Sequence, residues 1–135
     1  MTVKNKKYTR LKMSRKANVS TVYQVNSFRD TQVAINKMMD YFDANTNLQF
    51  SMNPTWIEAM LLTAQNIINF YEKISSSDQN HYYSNAMAMI ASAKRNLQKG
   101  LYKIKLNTFA EADYYLGETF NDIYDLEKFF SDFKG

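Results

Sequence analysis

Residues 53–77 read NPTWIEAMLLTAQNIINFYEKISSS, and this stretch decides the fold. Ile57, Met60, Leu61, Ala64, Ile67, Ile68, Tyr71 and Ile74 recur at steps of three and four, which gathers them on one face of an α-helix. Asn53 is a strong N-cap residue, and Pro54 at the first helical position gives up no hydrogen bond the helix needs. The run of Ser75, Ser76 and Ser77 marks its end. A helix with one apolar face must bury that face against something, so the flanking sequence has to supply partners.

It supplies three. Upstream, residues 20–44 carry Val25, Phe28, Ile35, Met39 and Phe42 at helical steps, with Gln32 filling one step, before DANTNLQFSM breaks the pattern. Downstream, a third helix is expected from about Asp78, with Ala86, Ile90, Ala93, Leu97, Leu101 and Ile104 on its inner face. Gly100 is expected to end or bend it. The fourth opens on a capping-box pattern, Thr108 to Glu111, and its stripe is Phe109, Ala112, Leu116, Phe120, Ile123 and Phe130. Short connections favour antiparallel neighbours. The expected architecture is all-α: an antiparallel four-helix bundle over residues 20–135, preceded by a basic arm, residues 1–19.

Composition agrees with one helical domain. Of the 135 residues 45% are apolar and 15% aromatic, with three Gly and one Pro, which is too apolar for a disordered chain and too poor in turn residues for a hairpin-rich β protein. The absence of cysteine excludes disulfides and cysteine-ligated zinc. No apolar run approaches the ~18 residues of a membrane span, and the basic start is not followed by an apolar signal-peptide core. A soluble product, not secreted by a cleaved signal, is expected. Lys, Asn, Ile, Tyr and Phe are all frequent, and their A- and T-rich codons point to an AT-rich genome of the kind many viruses and mobile elements carry.

Catalytic signatures are missing. There is no phosphate-binding glycine loop, no dinucleotide fingerprint and no H-E-x-x-H. A carboxylate-bridged di-metal bundle needs two Glu-x-x-His pairs, and His81 is the sole histidine. Asp78, three residues before it, is expected to cap the third helix. No catalytic residue, metal, cofactor or small-molecule substrate is expected. Glu118, Asp122 and Asp125 share one helix face, which reads as a solvated acidic face or one that meets a basic patch on a neighbouring subunit, with a divalent-cation patch as the alternative. Phe129 and Phe133 could complete the core or form a protein contact. The eight methionines are expected to fill gaps in the core.

Charge is the functional signal. The net charge of +4 conceals eight cations ahead of the first acid, Asp30: Lys4, Lys6, Lys7, Arg10, Lys12, Arg15, Lys16 and Arg29. Seven of them fall within residues 4–16, a segment with too few large apolar groups to fold alone or to anchor in lipid. Such charges repel one another unless a polyanion is present. The arm holds no base-reading module, so it should follow charge and shape more than sequence; a solubilising tail is the bland alternative. On the third helix Arg95, Lys99 and Lys103 form a second stripe within an acid-free stretch, residues 79–110. That stripe is either a solvated face or an electrostatic surface. These eleven cations are the candidate nucleic-acid-binding residues.

With its arm KNKKYTRLKMSRK and a bundle that includes NPTWIEAMLLTAQNIINFY, the chain resembles the major capsid proteins of filamentous and rod-shaped archaeal double-stranded DNA viruses, the lipothrixviruses and rudiviruses. The resemblance covers the organisation of the whole chain and rests on no short motif. It implies a subunit whose N-terminal segment wraps double-stranded DNA held in the A form. The four-helix bundle would pack outward into a helical filament of the virion, with copies of itself or with a paralogous coat subunit. Two alternatives stand beside it: a small phage or plasmid DNA-binding or inhibitor protein of discrete oligomeric state, and a small bundle enzyme, which the missing motifs disfavour.

Overall fold

The computed structural model describes residues 20–48, 53–77 and 84–134. Among them are four α-helices packed on one another: α1 (Phe28–Leu48), α2 (Pro54–Ser77), α3 (Ser84–Lys105) and α4 (Phe109–Lys134). α2 starts as its sequence dictates. The Asn53 side-chain oxygen accepts from the Trp56 N–H at 3.2 Å, and the Asn53 carbonyl accepts from the Ile57 N–H at 3.0 Å. The stripe from Ile57 to Tyr71 is almost wholly buried, with Ile74 packed at its edge.

Around that stripe close Ala86, Ile90, Ala93 and Leu97 of α3, Leu116, Phe120, Ile123 and Phe130 of α4, and Ile35, Met38 and Phe42 of α1. Side-chain pairs give the directions. Lys94 meets Glu72 at 2.9 Å while Gly100 lies against Leu61, so α3 runs antiparallel to α2. Asp122 accepts from Ser92 and Asn96, and Glu111 meets Lys103, so α4 runs antiparallel to α3. Phe28 touches Phe130 and Phe42 touches Phe120, so α1 runs antiparallel to α4 as well. One end of the core is aromatic: Tyr71 and Phe130 stack at 4.8 Å, and Phe28 meets Phe70 edge-on at 5.2 Å. Phe129 packs against this cluster from the edge of the core, 5.4 Å from Phe130.

α1 runs on to Leu48, through the DANTNL expected to break it, and three further local readings change. The first helix does not begin at residue 20. Ser20–Ser27 is a non-helical strap, and Ser27 caps α1: its hydroxyl accepts from the Asp30 N–H at 3.0 Å, and Asp30 in return accepts from the Asn26 N–H at 2.8 Å. Val25 is buried as expected, but from the strap. Gly100 does not end α3, which runs on to Lys105. A Cβ on Gly100 would stand 2.8 Å from Leu61 Cδ2 and 3.4 Å from Tyr115 Cβ, so at the glycine α3 lies close against α2 and α4. α3 stops instead at Asn107, whose φ of 59° is left-handed, with the Asn107 N–H on the Ile104 carbonyl and the Thr108 N–H on the Lys103 carbonyl, both at 3.0 Å. The third change is the capping box. Thr108 turns its hydroxyl back to the Lys103 carbonyl at 3.1 Å, and Glu111 takes the Lys103 ammonium.

Candidate nucleic-acid interface

Lys4, Lys6, Lys7, Arg10, Lys12, Arg15 and Lys16 lie outside the described residues. What the structure does describe is the segment that joins them to the bundle. The strap runs along α2 before the chain reverses into α1. Its Tyr23 N–H donates to Thr63 Oγ1 at 3.0 Å, and Asn66 Nδ2 donates to the Tyr23 carbonyl at 2.8 Å. An extended segment has no internal ladder for its backbone groups, so α2 supplies partners from two side chains one turn apart. Burial raises the Tyr23 phenol pKa, and the nearby Asp40 carboxylate of α1 adds to the rise. The strap is therefore seated between α1 and α2. Beside it lies a groove of about 470 Å³, walled by Gln24 and Asn26 of the strap and by Asn66, Asn69 and Lys73 of α2, over an apolar floor that includes Phe70.

Arg29 is exposed at the second position of α1. The helix dipole favours anions there, and Asp30 fills that role, so Arg29 owes its place to no helix-stabilising effect. Arg95 and Lys99 are exposed on the outer face of α3, with the Lys99 ammonium 5.7 Å above the Tyr115 ring. Lys103 is different. It pairs with Glu111 at 2.6 Å, a hydrogen bond that raises its pKa above the ordinary lysine value. The structure thus keeps two of the three stripe cations facing outward and commits the third to α4. It does not bring Arg29 to them: Phe28 beside it contacts Phe70 and Phe130, whereas Lys103 lies at the opposite end, where α4 begins.

The acidic trio also separates. Asp122 turns toward α3, accepting from Asn96 at 2.9 Å and Ser92 at 3.1 Å, while Asp125 stays exposed. Burial, and then the Asp122 charge, raise the Asp125 pKa, and Lys128 lowers it. Among the described residues no group of three or more His, Asp and Glu is placed to hold a metal ion. Asp78 and His81 lie outside the described residues, and so does the Phe133 side chain. Among the described residues, no helix is long and apolar enough to cross a membrane.

Two features escaped the sequence reading. The strap's seat on Thr63 and Asn66 carries no motif, although Thr and Asn set within an apolar helix are a signal that something polar is met there. The other is Asp113, buried at the first turns of α4 and accepting from the Tyr41 hydroxyl of α1. No protein-family model, no curated protein and no solved structure matches the chain.

Proposed function

We propose that this chain is the coat subunit of a filamentous DNA virus, binding double-stranded DNA through its basic arm and assembling with further copies, or with a paralogous subunit, into a helical nucleocapsid. The observation that carries this reading is the coupling of a seven-cation arm to a packed helical body through a strap tied to α2 by Thr63 and Asn66. A tail that only aids solubility needs no seated root; an arm that must transmit the position of a bound polymer to a body does. Arg29, Arg95 and Lys99 are secondary phosphate contacts in this reading, and Lys103 contributes least because Glu111 neutralises it. No catalytic step is proposed.

The reading is tested on duplex DNA. Seven arm contacts should give a slope of log affinity against log salt near −6, from about −0.9 per phosphate neutralised. Two unrelated duplexes should bind alike, since phosphate contacts carry no base information. Electron microscopy of protein mixed with long duplexes should show continuous coating. Binding that saturates at one defined site would replace the coat with a regulator of discrete oligomeric state.

A further inference from the structure

α3 and α4 lie side by side with opposite charge. α3 carries Lys94, Arg95, Lys99, Lys103 and Lys105 and no acid. α4 carries seven acids against two lysines, and four of the acids, Glu111, Glu118, Asp125 and Asp132, recur every seventh residue. That spacing holds them on one side of the helix, where Glu118 is half-buried and the other three are exposed. On the outer face of α3 Arg95 and Tyr102 are also seven residues apart.

We infer that the outer face of α3 in one copy docks against the acidic row of α4 in a second copy of this chain. Charge complementarity selects the occupant. Within a single copy Lys103 already pairs with Glu111 at 2.6 Å, and the contact between copies repeats that pairing with Arg95 and Lys99 against Glu118 and Asp125. Apolar surface supports it. Tyr102 and Leu106 near the end of α3 and Tyr114 in the first turns of α4 are exposed by 58%, 48% and 52%. Aromatic side chains with charged flanks are the usual anchors of a protein contact.

The two faces are different surfaces, so the contact is heterologous. Such a contact repeats from copy to copy and builds a ring or an open filament. Exposed ion pairs are individually weak and screened by salt, so the contact should be weak in free solution and effective once DNA concentrates the copies. The inference deepens the coat reading by naming its subunit contact, and it removes Arg95 and Lys99 from the DNA surface wherever copies adjoin.

The test uses the full chain at low salt without DNA, with mass measured by sedimentation as concentration rises. The intact protein should grow beyond a dimer. Arg95→Glu with Lys99→Glu should abolish that growth, and so should Glu118→Lys with Asp125→Lys. An equal mixture of the two variants, or one chain carrying all four changes, should restore it. The contact is refuted if either pair of reversals leaves growth unchanged, or if neither the mixture nor the fourfold variant recovers it. DNA binding of the same variants separates the two readings. If duplex affinity of the intact protein is absent while DNA-free growth follows this pattern, the coat reading fails and the contact stands. If the α3 reversal lowers the salt slope by about 2 while the α4 reversal leaves growth intact, α3 faces DNA and the contact is wrong.

Discussion

Asp113 is a carboxylate in surroundings that fit it poorly. It is 1% exposed, one oxygen accepts from the Tyr41 hydroxyl, and Oδ2 has no hydrogen-bond partner among the described residues. Burial, only partly offset by the tyrosine, raises its pKa above the ordinary aspartate value. Between the ordinary pKa and the raised one, the folded chain holds a proton the unfolded chain has released, so stability falls as pH climbs through that window. Asp113→Asn keeps an acceptor for Tyr41 and removes the titration. It should stabilise by about 1 kcal/mol at neutral pH and by little below the ordinary aspartate range. Melting curves of the two proteins that ran parallel across pH would contradict this. Gly100 is the second such residue. Leu61, against which a new Cβ would press, is fully buried and cannot swing out into solvent, and a leucine adds three more carbons at that contact, so Gly100→Leu should cost about 1–3 kcal/mol in urea unfolding. Its role was legible in principle: Ala86, Ala93 and Gly100 form one row of small residues seven apart, the mark of a close helix approach. Read alone, glycine looked like a breaker. Asp113 was not legible, because nothing local shows that Tyr41, far away in the chain, will cover it.

At the scale of elements, the apolar periodicities of α2, α3 and α4 were sufficient, because each of those helices presents one dominant stripe to one core. The first helix was overextended at its start, and stopped short of Leu48 at its end, and the start has a physical reason. Val25 and Phe28 fit helical steps, but burial of Val25 is achieved by an extended strap as well as by a helix, and periodicity cannot separate the two over so short a run. The capping signal Ser27-Phe28-Arg29-Asp30 was in the sequence and outweighs the periodicity, since a side chain that caps must itself be non-helical. The Thr108 to Glu111 pattern failed for the converse reason: Lys103 offers the acid an ammonium and the hydroxyl a carbonyl. The strap has its own consequence. Asn66→Ala deletes the donor to the Tyr23 carbonyl and should cost about 1 kcal/mol. The loss should be local, so amide exchange should quicken at Tyr23 with little change at Ile67, on the inner face of α2. Equal acceleration at both sites would show that the strap is part of the cooperative core and not a separable tether.

At the scale of the whole molecule, charge divides the chain where packing does. Residues 1–29 carry eight cations and no acid, whereas the acids all fall from Asp30 onward. The core drawn from α1 to α4 is closed by side chains between Val25 and Phe130. The sequence shows this division plainly, because counting charges needs no fold; what the charges meet depends on the partner and is not written in the chain alone. Function and stability should therefore separate on truncation. Deleting residues 2–16 should leave helix content and unfolding midpoint nearly unchanged, because no strap hydrogen bond and no core contact described above is lost. The same deletion should remove nearly all affinity for duplex DNA and the whole arm share of the salt slope, about −6, leaving at most the roughly −3 that Arg29, Arg95 and Lys99 could add to it. Lys4→Ala and Lys12→Ala, taken singly, should each make the slope shallower by about 1, with equal loss on unrelated duplexes. Circular dichroism with fluorescence anisotropy over a salt series measures both halves. A truncated protein that binds as tightly as the intact one would reduce the arm to a solubilising tail, and the cations of α1 and α3 would then have to carry any DNA binding by themselves.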